Sequence, residues 1–273
     1  MEKLDLHGKA GFIIGGTRGI GNAIAMRMAR LGMNLTVIAR KEDELAAMKA
    51  QVEPLGVRFL GIQASNTDFD AIAAAFKTSW QTYGRLDLLV NAAGTGVMTP
   101  FEELTKSDVD TTIDVNLKGT IYAVKLSVPY FEKTGGGNIL NISSMSAIRG
   151  IPDPVNNNGI YTATKFAING FTECMQKYLL KYGIRVTALC PGSTATSWWT
   201  RWTHSFGTDA MLPVETLADI AELNQNLAAV NDSSPLSVEE EAKMRAIRDA
   251  LGTQFCRRCN YCQPCSAGIS ISS

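Results

Sequence analysis

Six short apolar runs recur between residues 10 and 192, with helical patterns lying between them. The runs are "AGFIIGG" (10–16), "LTVIA" (35–39), "VRFLGI" (57–62), "LDLLVNAAG" (86–94), "GNILNISS" (137–144) and "IRVTALCPG" (184–192). They are rich in Val, Ile and Leu without polar alternation, the composition of strands buried on both faces. Residues 19–31 place Ile20, Ile24, Met28 and Leu31 at helical spacing, and 161–182 set Phe166, Phe171 and Met175 on related faces. A long helical segment is predicted over 105–132, opened by Thr105 and Asp108 in a capping-box arrangement. Strands separated by helices join through right-handed crossovers, so the pattern predicts an α/β fold. It is a doubly wound parallel sheet of about six strands with helices on both sides. Ligands of such sheets bind at the carboxyl ends of the strands, which directs attention to the residues just after each run.

After the first run comes "GGTRGIG" (15–21), where Gly15, Gly19 and Gly21 form a G-x-x-x-G-x-G turn between strand and helix. Glycines permit the tight turn and close backbone approach, and a helix N-terminus attracts a pyrophosphate. This places a dinucleotide along Gly15, Thr17, Arg18, Gly19, Ile20 and Gly21, in a Rossmann-type arrangement. After the second run stands Arg40, followed by Lys41, where sheets that bind NAD commonly carry a carboxylate for the ribose 2′-hydroxyl. Two guanidinium groups, Arg18 and Arg40, with no acid expected beside them, suit a 2′-phosphate and hence NADP(H). "YTATK" (161–165) puts Tyr161 and Lys165 on one helix face, where an ammonium favours the phenolate and lowers the tyrosine pKa. Ser144, at the end of the fifth run, can donate a hydrogen bond to a substrate carbonyl.

Together these residues resemble the short-chain dehydrogenase/reductase family. "GGTRGIG", "NAAG" (91–94), "DVNLKG" (114–119), "ISS" (142–144), "YTATK" and "PGSTAT" (191–196) stand in family order and cover residues 1 to about 200. The resemblance implies that Tyr161 exchanges a proton with the substrate oxygen, that Lys165 lowers the tyrosine pKa and binds the nicotinamide ribose, and that Ser144 orients the carbonyl. It further implies that Asn116 anchors a water in a proton relay, that Asn91 and Gly94 line the cofactor crevice, and that Thr196 meets the carboxamide. Ser65 stands where the family places an acid near the adenine. Family members continue past this point with a lid, a core helix and a seventh strand, and no seventh strand is legible after "RVTALC". The sixth strand is therefore expected at an edge.

The remainder reads differently, and a boundary is expected at 205/206: a reductase domain over 1–205 and a small helical, Cys-rich tail over 206–273. Leu217, Ile220, Leu223 and Leu227 recur at helical spacing, and Ser237 with Glu240 opens a second helix that stops near Gly252. "NLAAVNDSSPLS" and "FCRRCNYCQPC" resemble the ferredoxin-like end of iron–sulfur aldo-keto reductases. Cys256, Cys259, Cys262 and Cys265 are spaced C-x2-C-x2-C-x2-C, which suits an iron–sulfur cluster better than zinc, with unmetallated thiols as the third reading. Cys174 and Cys190 are expected as small core residues.

A formal net charge of zero disfavours nucleic acid and anionic membranes as partners. No apolar run approaches the length of a spanning helix, and the N-terminus carries acidic residues instead of a leader's apolar core, so the expected compartment is cytoplasmic. The expected activity is NADP(H)-dependent interconversion of a carbonyl and a secondary alcohol, with a hydrophobic substrate suggested by Trp198, Trp199, Trp202 and Phe206. Two alternatives stand beside it: a cluster-linked electron-transfer protein, and a cofactor-binding module without turnover. The helices at 105–132 and 161–182 resemble the family's dimer-forming pair, which implies a homodimer.

Overall fold

The computed structural model describes residues 5–97, 99–150, 158–198, 211–219 and 242. Its strands are β1 (Ala10–Ile14), β2 (Asn34–Ala39), β3 (Phe59–Gln63), β4 (Leu88–Asn91), β5 (Gly137–Ile142) and β6 (Ile184–Leu189). They form one sheet in the order β3-β2-β1-β4-β5-β6, with every neighbouring pair parallel. The order reverses between β1 and β4, and at that switch a crevice opens at the carboxyl ends. The helices between the strands are α1 (Gly19–Arg30), α2 (Glu42–Val52), α3 (Phe69–Tyr83), α4 (Lys106–Ile113), α5 (Gly119–Thr134) and α6 (Gly159–Leu179).

Alternate residues of each strand feed opposite cores. Ile13 and Val37 pack with Ile24 and Met28 of α1 and Leu45 and Met48 of α2. Phe12 and Ile14 pack on the other face with Ile72 and Phe76 of α3 and Ala123, Val124 and Phe131 of α5. The β3 strand departs from the expectation of strands buried on both faces. It starts at Phe59, pairs on one side only among the described residues, and is largely half-buried or exposed, because it forms a sheet edge there. Among the described residues β6 forms the opposite edge.

The segment expected as one helix over 105–132 is two helices joined through a π-helical turn, Asp114–Lys118. Its start is as expected: Thr105 and Asp108 form a reciprocal capping box. The wide turn leaves carbonyls for side chains to take up. Val115 O accepts from Asn66 Nδ2 at 2.7 Å, and Asn116 O accepts from Thr120 Oγ1 at 2.9 Å. The loop after β3 is thereby tied to the bend between α4 and α5. Cys174 is exposed on α6, contrary to the core position expected for it, and Cys190 is half-buried.

The chain divides into two compact units, Met1–Ala229 and Val230–Ser273. Residues 211–219 pack on the sheet body. Leu212 bridges Thr194, with Ala195 N donating to Leu212 O at 2.9 Å and Leu212 N to Ser193 O at 2.8 Å. Leu217 and Ala218 are buried, and Asp219 reaches Arg27 of α1 at 3.6 Å. Cys256, Cys259, Cys262 and Cys265, and most of the segment expected to resemble an aldo-keto reductase end, lie outside the described residues. No helix among the described residues is long and apolar enough to cross a membrane.

Candidate active site

The turn after β1 is built to bring a ligand against backbone. Gly15 has φ +78, and a Cβ there would lie 2.7 Å from Ala93 N. Gly19 has φ +53, and a Cβ on Gly21 would fall on Gly15 O. Only glycine meets both demands, the left-handed φ and the contact. The helix that follows begins with Arg18 at its N-cap, without a side-chain cap and without an acidic residue in its first turn. Its first N–H groups, those around Gly19, Ile20 and Gly21, therefore remain available to an anion. This cradle fits the pyrophosphate of a dinucleotide. Thr196 lies against Gly19, within 3.5 Å of where its Cβ would be, so the strap after β6 passes over the turn.

The crevice wall beyond β2 differs from expectation. Arg40 is exposed at the carboxyl end of the strand, and Arg18 and Lys41 converge nearby, but an acid stands between the last two. Glu44, in the first turn of α2, accepts from Thr17 Oγ1 at 2.9 Å and pairs with Arg18 Nε at 3.4 Å and Lys41 Nζ at 3.3 Å. The expected all-basic site is a mixed one. A faint signal existed, since Glu44 lies three residues after Lys41 and shares its helix face. Its reach to Thr17 and Arg18 crosses from one βα unit to the next, and spacing along the chain does not reveal that.

At the carboxyl end of β5 and the start of α6, Ser144, Tyr161 and Lys165 come together. The Ser144 side chain accepts from Ser146 N at 3.1 Å. The Lys165 ammonium donates to Ile142 O at 2.8 Å and sits 5.5 Å from the centre of the Tyr161 ring. The sequence reading had the ammonium lowering the tyrosine pKa; here burial raises it, with the Ser144 side chain opposing in part. Lys165 is fully enclosed, and burial pulls its pKa down to about 8, partly offset by the Cys190 sulfur nearby. Both groups are biased towards their neutral forms.

Asn116 is buried and fully engaged. Its Nδ2 donates to Thr95 O at 2.8 Å and Thr164 Oγ1 at 3.0 Å, and its Oδ1 accepts from Thr95 N at 2.8 Å. It pins the loop after β4 to the π-helical turn and to α6. Asn91 ends β4 beside Asn141 of β5, donating to Asn141 Oδ1 at 2.8 Å, while its own buried Oδ1 has no partner among the described residues. A Cβ on Gly94 would come within 3.9 Å of the Lys165 ammonium, so the missing side chain keeps the crevice floor open. Trp198 lies 5.9 Å from the Tyr161 ring, and a Cβ on Gly96 would be within 3.4 Å of both rings. Asn66, Thr95, Asn141 and Thr164 went unnoticed in sequence, where a lone polar residue carries no sign of its partners. Among the described residues no group of His, Cys, Asp and Glu is placed to hold a metal ion.

Similarity to known proteins runs along the same stretch. The family model described as short chain dehydrogenase matches residues 9–205. An uncharacterized oxidoreductase of Staphylococcus epidermidis is 30% identical over 212 residues, 77% of this chain and 88% of that protein. A 3beta-hydroxysteroid dehydrogenase of Mediterraneibacter gnavus is 33% identical over 185 residues, 67% of this chain and 65% of that protein. A crystal structure of a short chain dehydrogenase from Burkholderia cenocepacia, in complex with NADP, superposes with a TM-score of 0.72. It is 31% identical in sequence and covers 80% of this chain and 90% of its own.

Proposed function

This chain belongs to the short-chain dehydrogenase family, and we propose that it is an NADP(H)-dependent oxidoreductase interconverting a carbonyl and a secondary alcohol. The observation that carries the proposal is the convergence of Tyr161 and Lys165, whose ammonium sits 5.5 Å from the ring centre, beside Ser144 at the end of β5, at the edge of a crevice that begins in the glycine turn. A bound nicotinamide supplies or accepts the hydride at the substrate carbon. In the reducing direction Tyr161, held protonated by its burial, gives its proton to the carbonyl oxygen as the C–H bond forms, and the product is the alcohol. Ser144 donates to the same oxygen and orients it. Lys165 holds the ribose hydroxyls, and in its charged form it stabilises the phenolate left behind. Asn116 acts by positioning: it holds Thr95 and Thr164 around the crevice and supports the relay of protons past Lys165.

Arg18 and Arg40 support NADP(H) over NAD(H), as does the NADP complex of the Burkholderia protein. Asn91, Gly94 and Thr196 line the nicotinamide half. A hydrophobic substrate is supported by Trp198 beside Tyr161 and by the relative named as a hydroxysteroid dehydrogenase. The homodimer is supported by Phe166 and Tyr178, exposed on α6 at 45% and 56%. Cytoplasmic placement and an iron–sulfur cluster on the four C-terminal cysteines rest on sequence alone, and iron and acid-labile sulfide analysis of anaerobically purified protein decides the second.

The test is NADPH oxidation across a panel of cyclic and aromatic ketones, with wild type and Tyr161→Phe compared at matched cofactor saturation. Turnover should fall by at least about a thousandfold in the variant, within what a positioned proton donor contributes, while NADPH still binds. Retained turnover in Tyr161→Phe would remove Tyr161 as the proton donor, and NADPH binding without wild-type turnover across the panel would favour a cofactor-binding module instead.

A further inference from the structure

The Glu44 carboxylate engages Arg18, one of the two guanidinium groups that the NADP(H) reading assigns to a phosphate, together with Thr17 and Lys41 beside it. Its Oε2 accepts from Thr17 Oγ1 at 2.9 Å and lies 3.4 Å from Arg18 Nε, and its Oε1 lies 3.3 Å from Lys41 Nζ. The acid is the most enclosed of the three charged groups: its side chain is 19% exposed, against 50% for Arg18 and 61% for Lys41. Two flexible bases thus wrap a fixed carboxylate. The arrangement spans two βα units, with Thr17 and Arg18 in the turn after β1 and Lys41 and Glu44 after β2. It sits at the carboxyl ends of adjacent strands, where the ribose nearest the adenine of a dinucleotide would rest. The cationic character that would favour a 2′-phosphate is therefore already answered, in part, from within the chain.

Resting on the cofactor reading above, we propose that Glu44 is an internal counter-anion that sets the discrimination between NADP(H) and NAD(H). A ribose 2′-phosphate carries about two negative charges and seeks the hydroxyl of Thr17, the guanidinium of Arg18 and the ammonium of Lys41. It either displaces Glu44, which loses three partners, or binds beside it against like-charge repulsion in a half-enclosed site. A ribose 2′-hydroxyl meets neither obstacle, because it is neutral and a carboxylate accepts from it. Glu44 thus weakens one cofactor selectively, while Arg18, Lys41 and exposed Arg40 favour the same one. The selectivity of the chain is a balance between these residues.

The experiment compares wild type with Glu44→Gln, which keeps an acceptor for Thr17 and removes the charge. Dissociation constants are measured for NADPH, NADH, 2′,5′-ADP and 5′-AMP by calorimetry at low and high NaCl, with thermal melts to confirm folding. Expected is a tightening of about tenfold for NADPH and 2′,5′-ADP, a gain that shrinks with salt, and a change of no more than about twofold for NADH and 5′-AMP. Weaker binding of the two 2′-phosphorylated ligands would overturn the proposal, since Glu44 would then be ordering its bases for the phosphate. An equal shift in all four, or none, would overturn it as well. Arg18→Ala separates the two readings. Should it cost NADPH affinity while Glu44→Gln changes nothing, the counter-anion falls and the cofactor reading stands. Should wild type prefer NADH and Glu44→Gln reverse that preference, the counter-anion stands and native NADP(H) dependence falls.

Discussion

Burial acts in one sense on Tyr161 and Lys165: it keeps the phenol protonated and draws the ammonium towards release of its proton. For Lys165 the displacement, from an ordinary 10.5 to about 8, corresponds to about 3 kcal/mol of disfavoured charge. The unfolded chain holds that proton up to about pH 10.5, and the folded chain gives it up near 8. Below pH 8 both states are protonated and the folded protein bears the whole cost; between 8 and 10.5 the unfolded state binds more protons, so stability rises with pH. Lys165→Met should therefore stabilise the unliganded protein at pH 7. The orphaned Ile142 carbonyl returns about 1 kcal/mol of the gain, leaving about 2 kcal/mol. In urea titrations across pH 7 to 10.5 the advantage should fade towards the upper end, and the variant should have lost turnover. A Lys165→Met protein less stable than wild type at pH 7 would mean that the ammonium is better solvated than its enclosure implies. That Tyr161, Lys165 and Ser144 come together was legible in the chain, because one helix face and one strand end carry them. Their protonation was not, since it depends on how much protein closes over them, and that is set by β5, α6 and the strap after β6 together.

The elements followed from the apolar runs wherever local pattern and tertiary position agree. Thr105 and Asp108 cap α4 as their spacing required, and the strands β1, β2 and β5 fall within a residue or two of the runs that define them, β4 within three. The π-helical turn at Asp114–Lys118 was not legible, because its cause lies outside the helix. Asn66, from the loop after β3, reaches Val115 O at 2.7 Å and occupies the space beside Gly119. A Cβ on Gly119 would fall on Asn66 Nδ2 and lie 2.7 Å from Asn66 O. In an ordinary helix Gly→Ala gains up to about 1 kcal/mol. Here overpacking costs about 1–3 kcal/mol and the bond to Val115 O costs about 1 more, so the losses win. Gly119→Ala should lower stability by about 2 kcal/mol in urea or thermal unfolding. Adding Asn66→Ala should recover only part of this, because the clash with the Asn66 backbone remains. A Gly119→Ala protein at or above wild-type stability would show that the loop after β3 yields freely. The bend between α4 and α5 would then owe nothing to Asn66.

Every group placed at the crevice, from Gly15 in the first turn to Trp198 after β6, belongs to the compact unit Met1–Ala229, and so do residues 211–219 that bridge the strap. The family model ends at residue 205, yet residues 211–219 beyond it pack with the body that the model covers. Buried Leu217 and Ala218 and the Arg27–Asp219 pair draw the start of the divergent segment onto the sheet body. Hydrophobic spacing records that a helix has a buried face, but not which partner buries it. If the first unit is self-sufficient for cofactor binding, a chain ending at Ala229 should fold cooperatively and bind NADPH within about twofold of the full-length affinity, a difference under about 0.5 kcal/mol. Light scattering belongs beside the calorimetric titration, because β6 is a sheet edge among the described residues and an unpaired edge invites association between copies. A monodisperse shortened protein with unchanged NADPH affinity would assign the cofactor site wholly to the first unit and leave the cysteines of Val230–Ser273 a separate role or none. Loss of NADPH affinity in a protein that still melts cooperatively would show instead that the second unit shapes the crevice, and the site described here would then be incomplete without it.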